Sequence, residues 1–455
     1  MVKPAAVKGE IPPTTAIYQN MFRVAWPSAL ESVLVALISS VDTMMVGGLG
    51  SHAIAAVGIT NQPRFIILCM ILSLNVGVTA IVARRKGQQD QEGANRCLRQ
   101  SLMISAGLSL LLSAFGFSFA KPIMAFAGAG SDIIDLAVDY FRIIMVGIFF
   151  NAINLTINAA QRGVGNTKIS MRTNLVANII NLIFNYLLIN GKFGFPRLEV
   201  SGAAIATVLG NFVAFCMACY SIIGRQKFLH ITLKASWKFD KETLSGILKV
   251  GSSAMVEQVF MRIGFFLYAK IIAGLGTAAF ATHQIASNIM SLSFSFGDGL
   301  SIAASSMVGQ QLGAKRPDMA TIYGKVGQRM AVCISTVIFF VFLFGGGWLF
   351  SLFTNEADII AMGTIIMIIG AVTNFAQTSQ VVISGCLRGA GDVLFTAVTS
   401  LISVAVIRPL LTWLFCYPLG MGVIGAWFGF LIDQSMRLTL NAARFSTGKW
   451  TTIKL

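Results

Sequence analysis

GGLGSHAIAAVG, from Gly47 to Gly58, returns as AGLGTAAFATHQ, from Ala273 to Gln284, so positions 47 and 273 define a shift of 226 residues. Carried back, that shift lays Glu31 on Glu257. Carried forward, it lays ARRKGQQ (from Ala83) on GQQLGAK (from Gly309), QRGVG (from Gln161) on LRGAG (from Leu387), and Asn151 and Asn154 on Gln377 and Gln380. An offset that stays constant over so much of the chain is a duplication, and it governs how every local motif is read.

Composition says what was duplicated. The 455 residues are 55% hydrophobic and 11% charged, with mean hydropathy +0.76, whereas soluble domains carry roughly a quarter charged residues. Apolar stretches of about 20 residues, each long enough to cross about 30 Å of hydrocarbon as a helix, recur along the chain. Twelve spans are predicted at 24–47, 57–83, 98–120, 137–160, 172–190, 201–223, 246–271, 279–308, 329–352, 360–386, 394–416 and 421–443. This is an all-α membrane protein, with six helices per copy. Because six is even, the second copy enters from the same face as the first, and the repeats run parallel. The expected domains are a tail at 1–23, an N-terminal lobe at 24–235, a C-terminal lobe at 236–445 and a second tail at 446–455.

The net charge of +16 does not mark a nucleic-acid binder, since no compact basic domain with interleaved aromatics is present. Every second connection is basic, for example ARRKGQQDQEGANRCLRQ and GQQLGAKRPDMATIYGKVGQR, which is the positive-inside pattern. Both termini are therefore expected in the cytoplasm. The first residues lack a short apolar core with a small-residue cleavage site, so no signal peptide is expected. Seven cysteines scattered through apolar runs do not form a disulfide framework, and Cys216-Met-Ala-Cys219 lacks the second pair a metal site needs.

Acids at membrane depth cost roughly 2.5–3.5 kcal/mol each, so such groups are functional candidates by default. Asp42 and Glu31 lie eleven residues apart, about three helical turns, and project from nearly one face. Either suits a proton switch or a cation ligand. Asn174, Asn178, Asn181 and Asn185, at spacings of four, three and four, make a polar stripe on the fifth span. Such a stripe serves hard cations, a proton site, or simple helix–helix hydrogen bonding. Glu257 has Glu31 as its repeat mate, and Gln284 falls in the recurring segment. Arg408 is expected to pair with Asp433 or Asp298 as a structural ion pair. With three histidines and no H-E-x-x-H, Walker A or G-x-S-x-G motif, enzyme chemistry is disfavoured. The two G-x-G-x-x-A matches follow hydrophobic spans and read as interhelical turns.

Trp26-Pro27, VDTMMVGGLGSHAIAAVG, ARRKGQQ, QRGVGNTK, SGAAIAT, MVEQ, VGQQLGA and LRGAGD, in this order, resemble the multidrug and toxic compound extrusion (MATE) family, leaning to its NorM-like branch. The resemblance runs from about Met21 to Phe445. It implies a V-shaped transporter of two six-helix lobes that exports cationic or amphipathic compounds by rocker-switch exchange for H⁺ or Na⁺. By motif position, Asp42 matches the coupling acid of the first helix and Pro27 the proline at which that helix bends. Asn181, Asn185 and Thr207 fall where the family places other ligands of that site. Many relatives have Asp where Asn185 stands, and the NorM-like branch often has an acid where Gln377 stands. Glu257 matches the branch's seventh-helix acid. Two missing acids favour H⁺ over Na⁺; Glu31, Asn178 and Gln284 are secondary candidates. A bacterial inner-membrane monomer with no organic cofactor is expected. The alternative is a flippase for a lipid-linked or amphipathic lipid.

Overall fold

The computed structural model describes residues 8–224, 227–231 and 237–453, and every regular element among them is helical. Residues 1–7 and 454–455 of the expected tails, and the lobe changeover at 235/236, lie outside the described residues. The first half runs α1 (Thr14–Gly47), α2 (Ser51–Gly87), α3 (Gln91–Ser118), a short α4 (Ala120–Phe126), α5 (Ile134–Gly163), α6 (Thr167–Asn190) and α7 (Glu199–Ser221). The second runs α8 (Lys241–Ala273), α9 (Thr277–Gly313), α10 (Pro317–Ser351), α11 (Ala357–Ala390), α12 (Val393–Ser400), a π-helical turn (Leu401–Ile407), α13 (Arg408–Cys416) and α14 (Gly422–Ser446).

The duplication is visible in the backbone. Gly50 (φ 106°) starts α2 and its mate Gly276 (φ 107°) starts α9; Gly165 (86°) and Gly391 (89°), also one shift apart, follow α5 and α11. These angles lie in the region that only glycine enters freely, so the recurring G-L-G and R-G-x-G motifs are matched turns. Gln89 and Lys315, again one shift apart, both take φ 58°.

All twelve predicted spans fall on helices, the eleventh on α12, the π turn and α13 together. Nine helical segments among the described residues are long and apolar enough to cross a membrane. Those covering α8, α9 and α14 do not reach that apolarity, because these helices carry Glu257 and Arg262, Asp298 among serines and glycines, and Asp433, Gln434 and Arg437.

Two compact units emerge. The N-unit is Val33–Gly251; the C-unit joins Met1–Ser32 to Ser252–Leu455. The changeovers lie inside helices, at Ser32/Val33 in α1 and Gly251/Ser252 in α8. The N-unit core is built on Ile71, Met124, Phe141 and Met145. In the C-unit, Met21 of α1 is buried with Ala303, Ala304 and Trp450. Trp450 stacks on Phe445 at 4.8 Å and donates from Nε1 to the Phe445 carbonyl at 2.8 Å.

Helices α9 and α11 approach through small residues. A Cβ at Gly385 would lie against Ser301 and one at Gly389 would strike the Ser305 carbonyl, a small-xxx-small contact that lets two backbones come together in lipid. Gly389→Ala is expected to cost about 1–3 kcal/mol as overpacking. A thermal melt in detergent checks this; a midpoint equal to wild type would contradict it.

Candidate functional site

Two buried polar clusters stand out, one in each unit. In the N-unit, α6 turns Asn181 and Asn185 inward, four residues apart and both buried. Asn185 donates from Nδ2 to Asp42 Oδ1 at 2.5 Å. The Asn181 amide lies between Asp42 and Thr207 and can face them in two ways. With its oxygen toward Asp42, 2.7 and 2.9 Å from the two carboxyl oxygens, the amide meets only acceptors unless the acid is protonated. Asn181 Nδ2 then donates to Thr207 Oγ1 at 3.1 Å, and Thr207 donates to the Ala203 carbonyl at 3.0 Å.

Turned over, the same amide donates to both oxygens of an ionised Asp42 and accepts from Thr207 Oγ1 at 3.1 Å. Only the donor and acceptor ends of the amide distinguish the two networks. One arrangement suits a neutral acid and the other a charged one, and a half-turn of the amide, exchanging its nitrogen and oxygen, converts one into the other. Asn185 Oδ1 is buried without a partner, so a cation would also find oxygens here. Yet only one of them carries charge, and no group of three or more His, Cys, Asp or Glu stands together among the described residues.

The other candidates near this stretch separate. Asn174 and Asn178, on the same stripe, are half-buried. Pro27 sits inside α1. Glu31 and Pro27 belong to the C-unit part of that helix, whereas Asp42 belongs to the N-unit part.

Glu257 lies in the C-unit, 2% exposed. It accepts from Thr396 Oγ1 at 3.1 Å and Ser400 Oγ at 3.3 Å, and Arg388 Nη1 stands 3.6 Å away. Spaced by four, Thr396 and Ser400 share one face of α12. Gln377 and Gln284 line the same cavity, of about 810 Å³. The C-unit acid therefore already has an internal cation beside it. The repeat does not copy the N-unit site either: one shift on from Asp42 stands Tyr268, not a carboxylate.

Deeper in the C-unit, Arg408 donates from Nε to Asp433 Oδ2 at 3.1 Å, with a shorter contact from Nη2, and Ser403 Oγ also donates to Asp433. Of the two acids considered for Arg408, the partner is Asp433. Ser403 and Arg408 are five residues apart, which an α-helix would point in different directions. The π turn, with its i→i+5 repeat, brings them to one acid. Pro409 follows immediately and has no N–H for a regular ladder. Arg388 and Arg437 were missed as site residues: Arg388 read as part of a basic connection, and Arg437 was not singled out. The signals were available, since Arg388 is the repeat mate of Arg162 and Arg437 stands one helical turn after Asp433.

The MatE family model matches residues 27–187 and 253–414, two segments whose starts are separated by the same 226 residues. The chain belongs to the MatE family. Among curated relatives, "Probable multidrug resistance protein NorM" of Thermotoga maritima is 28% identical over 97% of this chain and 94% of its own length. "Uncharacterized transporter YisQ" of Bacillus subtilis is 28% identical, over 95% and 94%. A solved structure described as an outward-facing conformation of a multidrug resistance MATE family transporter of the MOP superfamily superposes with TM-score 0.88. It is 23% identical and covers 97% of this chain and 100% of its own. The chain is a multi-pass membrane protein of a transporter family whose relatives are named for multidrug resistance.

Proposed function

We propose that this MatE protein exports cationic or amphipathic compounds in exchange for H⁺, by alternating access, with Asp42 as the coupling acid. The observation that carries the reading is Asp42, the single carboxylate of its cluster, held by Asn185 Nδ2 at 2.5 Å and faced by the Asn181 amide, whose donor end fits the ionised acid. A proton arriving at Asp42 turns the amide, and Thr207 passes from donating to Asn181 to donating to Ala203. A bound cation favours the ionised acid and a proton abolishes it, so drug and proton compete. A ligand shifts a conformational equilibrium only by its different affinity for the two states, and protonation at Asp42 supplies that difference. Na⁺ is the weaker coupling ion, because Asp42 is the single carboxylate of its cluster and Glu257 is already matched by Arg388. The setting is a bacterial inner membrane with both termini cytoplasmic.

The test is ethidium transport by the purified chain in liposomes under separately imposed gradients. An H⁺ gradient alone is expected to drive flux, and a Na⁺ gradient at equal pH to drive none. Flux that requires Na⁺ would overturn the assignment of the ion. No cation flux under either gradient would overturn the exporter and turn attention to a lipid substrate.

A further inference from the structure

We infer that the C-unit cavity is a binding site for an aromatic organic anion, a carboxylate, sulfonate or phosphate on a ring system. Among its lining residues are four guanidinium groups, of Arg262, Arg388, Arg408 and Arg437, against the carboxylates of Glu257 and Asp298, with Asp433 behind Arg408 as a third. The internal pairings leave a surplus at one place. Glu257 is taken by Arg388, Thr396 and Ser400, and Asp433 by Arg408 and Ser403. Arg437, 6% exposed, donates only a long 3.4 Å bond from Nη2 to Ser400 and forms no ion pair among the described residues. Its Nε is buried without a partner, and so are Arg408 Nη1 and Trp427 Nε1. A buried charge and three unmet N–H donors on one cavity are costly as they stand. An acceptor-bearing anion beside Arg437 supplies the missing partner, through the short charge-assisted bonds guanidinium favours.

The walls argue for the ring and against a cation. Phe265, Tyr268 and Phe430 surround the Arg408 guanidinium at 5.0, 5.7 and 4.9 Å, within cation–π range. The aromatic cage that would attract an organic cation is thus already filled by a cation of the protein. Trp427 and Phe294 remain as ring surfaces on the same cavity. Two acceptors, Gln377 Oε1 and Gln434 Oε1, are also unpartnered and select for a ligand that carries a donor beside its acid.

The test is isothermal titration calorimetry on the purified full chain in detergent at pH 7. The probes are 2-naphthalenesulfonate and its cationic counterpart (2-naphthylmethyl)trimethylammonium. The sulfonate is expected to bind once per chain and at least about tenfold more tightly than the cation. Arg437→Gln should weaken it by about tenfold or more, and Arg437→Lys by less. Equal affinity for the two probes, or an Arg437→Gln isotherm like wild type, would overturn the proposal. If Arg437→Gln fails to elute as folded protein, Trp427→Phe keeps the ring and removes its donor; it should weaken the sulfonate by roughly threefold, and no change would overturn the site. Repeating the titration with added phosphatidylglycerol separates the sources of the anion: competition assigns the site to a lipid headgroup, and its absence to a free organic acid. No gradient is imposed, so failure of proton coupling would leave this isotherm standing, and a flat isotherm would leave the coupling reading intact.

Discussion

Asp433→Asn is expected to destabilise the protein by about 3–5 kcal/mol. Arg408 is 1% exposed and brings a guanidinium into that interior. Without the carboxylate, that charge is left buried against Phe265, Tyr268 and Phe430 with only a neutral amide to receive two donors. Ser403, placed on the same acid by the π turn, loses its partner's charge as well. The double replacement Arg408→Met with Asp433→Leu is expected to recover most of the loss, since removing both charges leaves neither unpaired. Thermal melting in detergent reads both. A single mutant that melts with wild type, or a double mutant that falls further than the single, would show that the pair is not what holds this region together.

Asp42→Asn is expected to abolish H⁺-driven efflux, lowering it at least tenfold, while leaving the fold intact. The substituted amide's oxygen can still accept from Asn185 Nδ2, so the local packing survives. What is lost is the exchangeable proton, and with it the reason for the Asn181 amide to turn. A folded but uncoupled protein is the signature sought, read by size-exclusion profile alongside liposome flux.

How much of this was legible in the sequence depends on the range over which each feature is decided. The turns at Gly50 and Gly276 are local: a glycine that must take positive φ marks itself, and its repeat 226 residues on doubles the signal. The polar stripe on α6 is equally local, since spacings of four, three and four define one helix face whatever lies opposite. That the face would meet Asp42 through Asn181 and Asn185, with Asn174 and Asn178 left half-buried, depends on how α6 sits against its neighbours, which periodicity does not encode. The MATE motifs supplied that pairing by resemblance.

The C-unit cavity was the least legible part. Arg388 and Arg437 come from helices far apart in sequence, and hydropathy places Arg388 in a connection and Arg437 inside the last span, with nothing to bring them together. The π turn was invisible too. Pro409 hinted at an irregular ladder, but its consequence, Ser403 and Arg408 on one acid, follows only when α14 supplies Asp433. The unit changeovers inside α1 and α8 are also decided by packing, because a helix continues through a boundary that composition would sooner place in a connection.

The central claim, that proton and drug compete through Asp42, is tested most directly by drug-evoked proton release. The purified protein in weakly buffered detergent solution, with a pH indicator, is mixed with ethidium. The account predicts proton release by wild type, up to one per bound cation, and none by Asp42→Asn. Ethidium that binds wild type without releasing a proton, or that releases as much from Asp42→Asn, would contradict it.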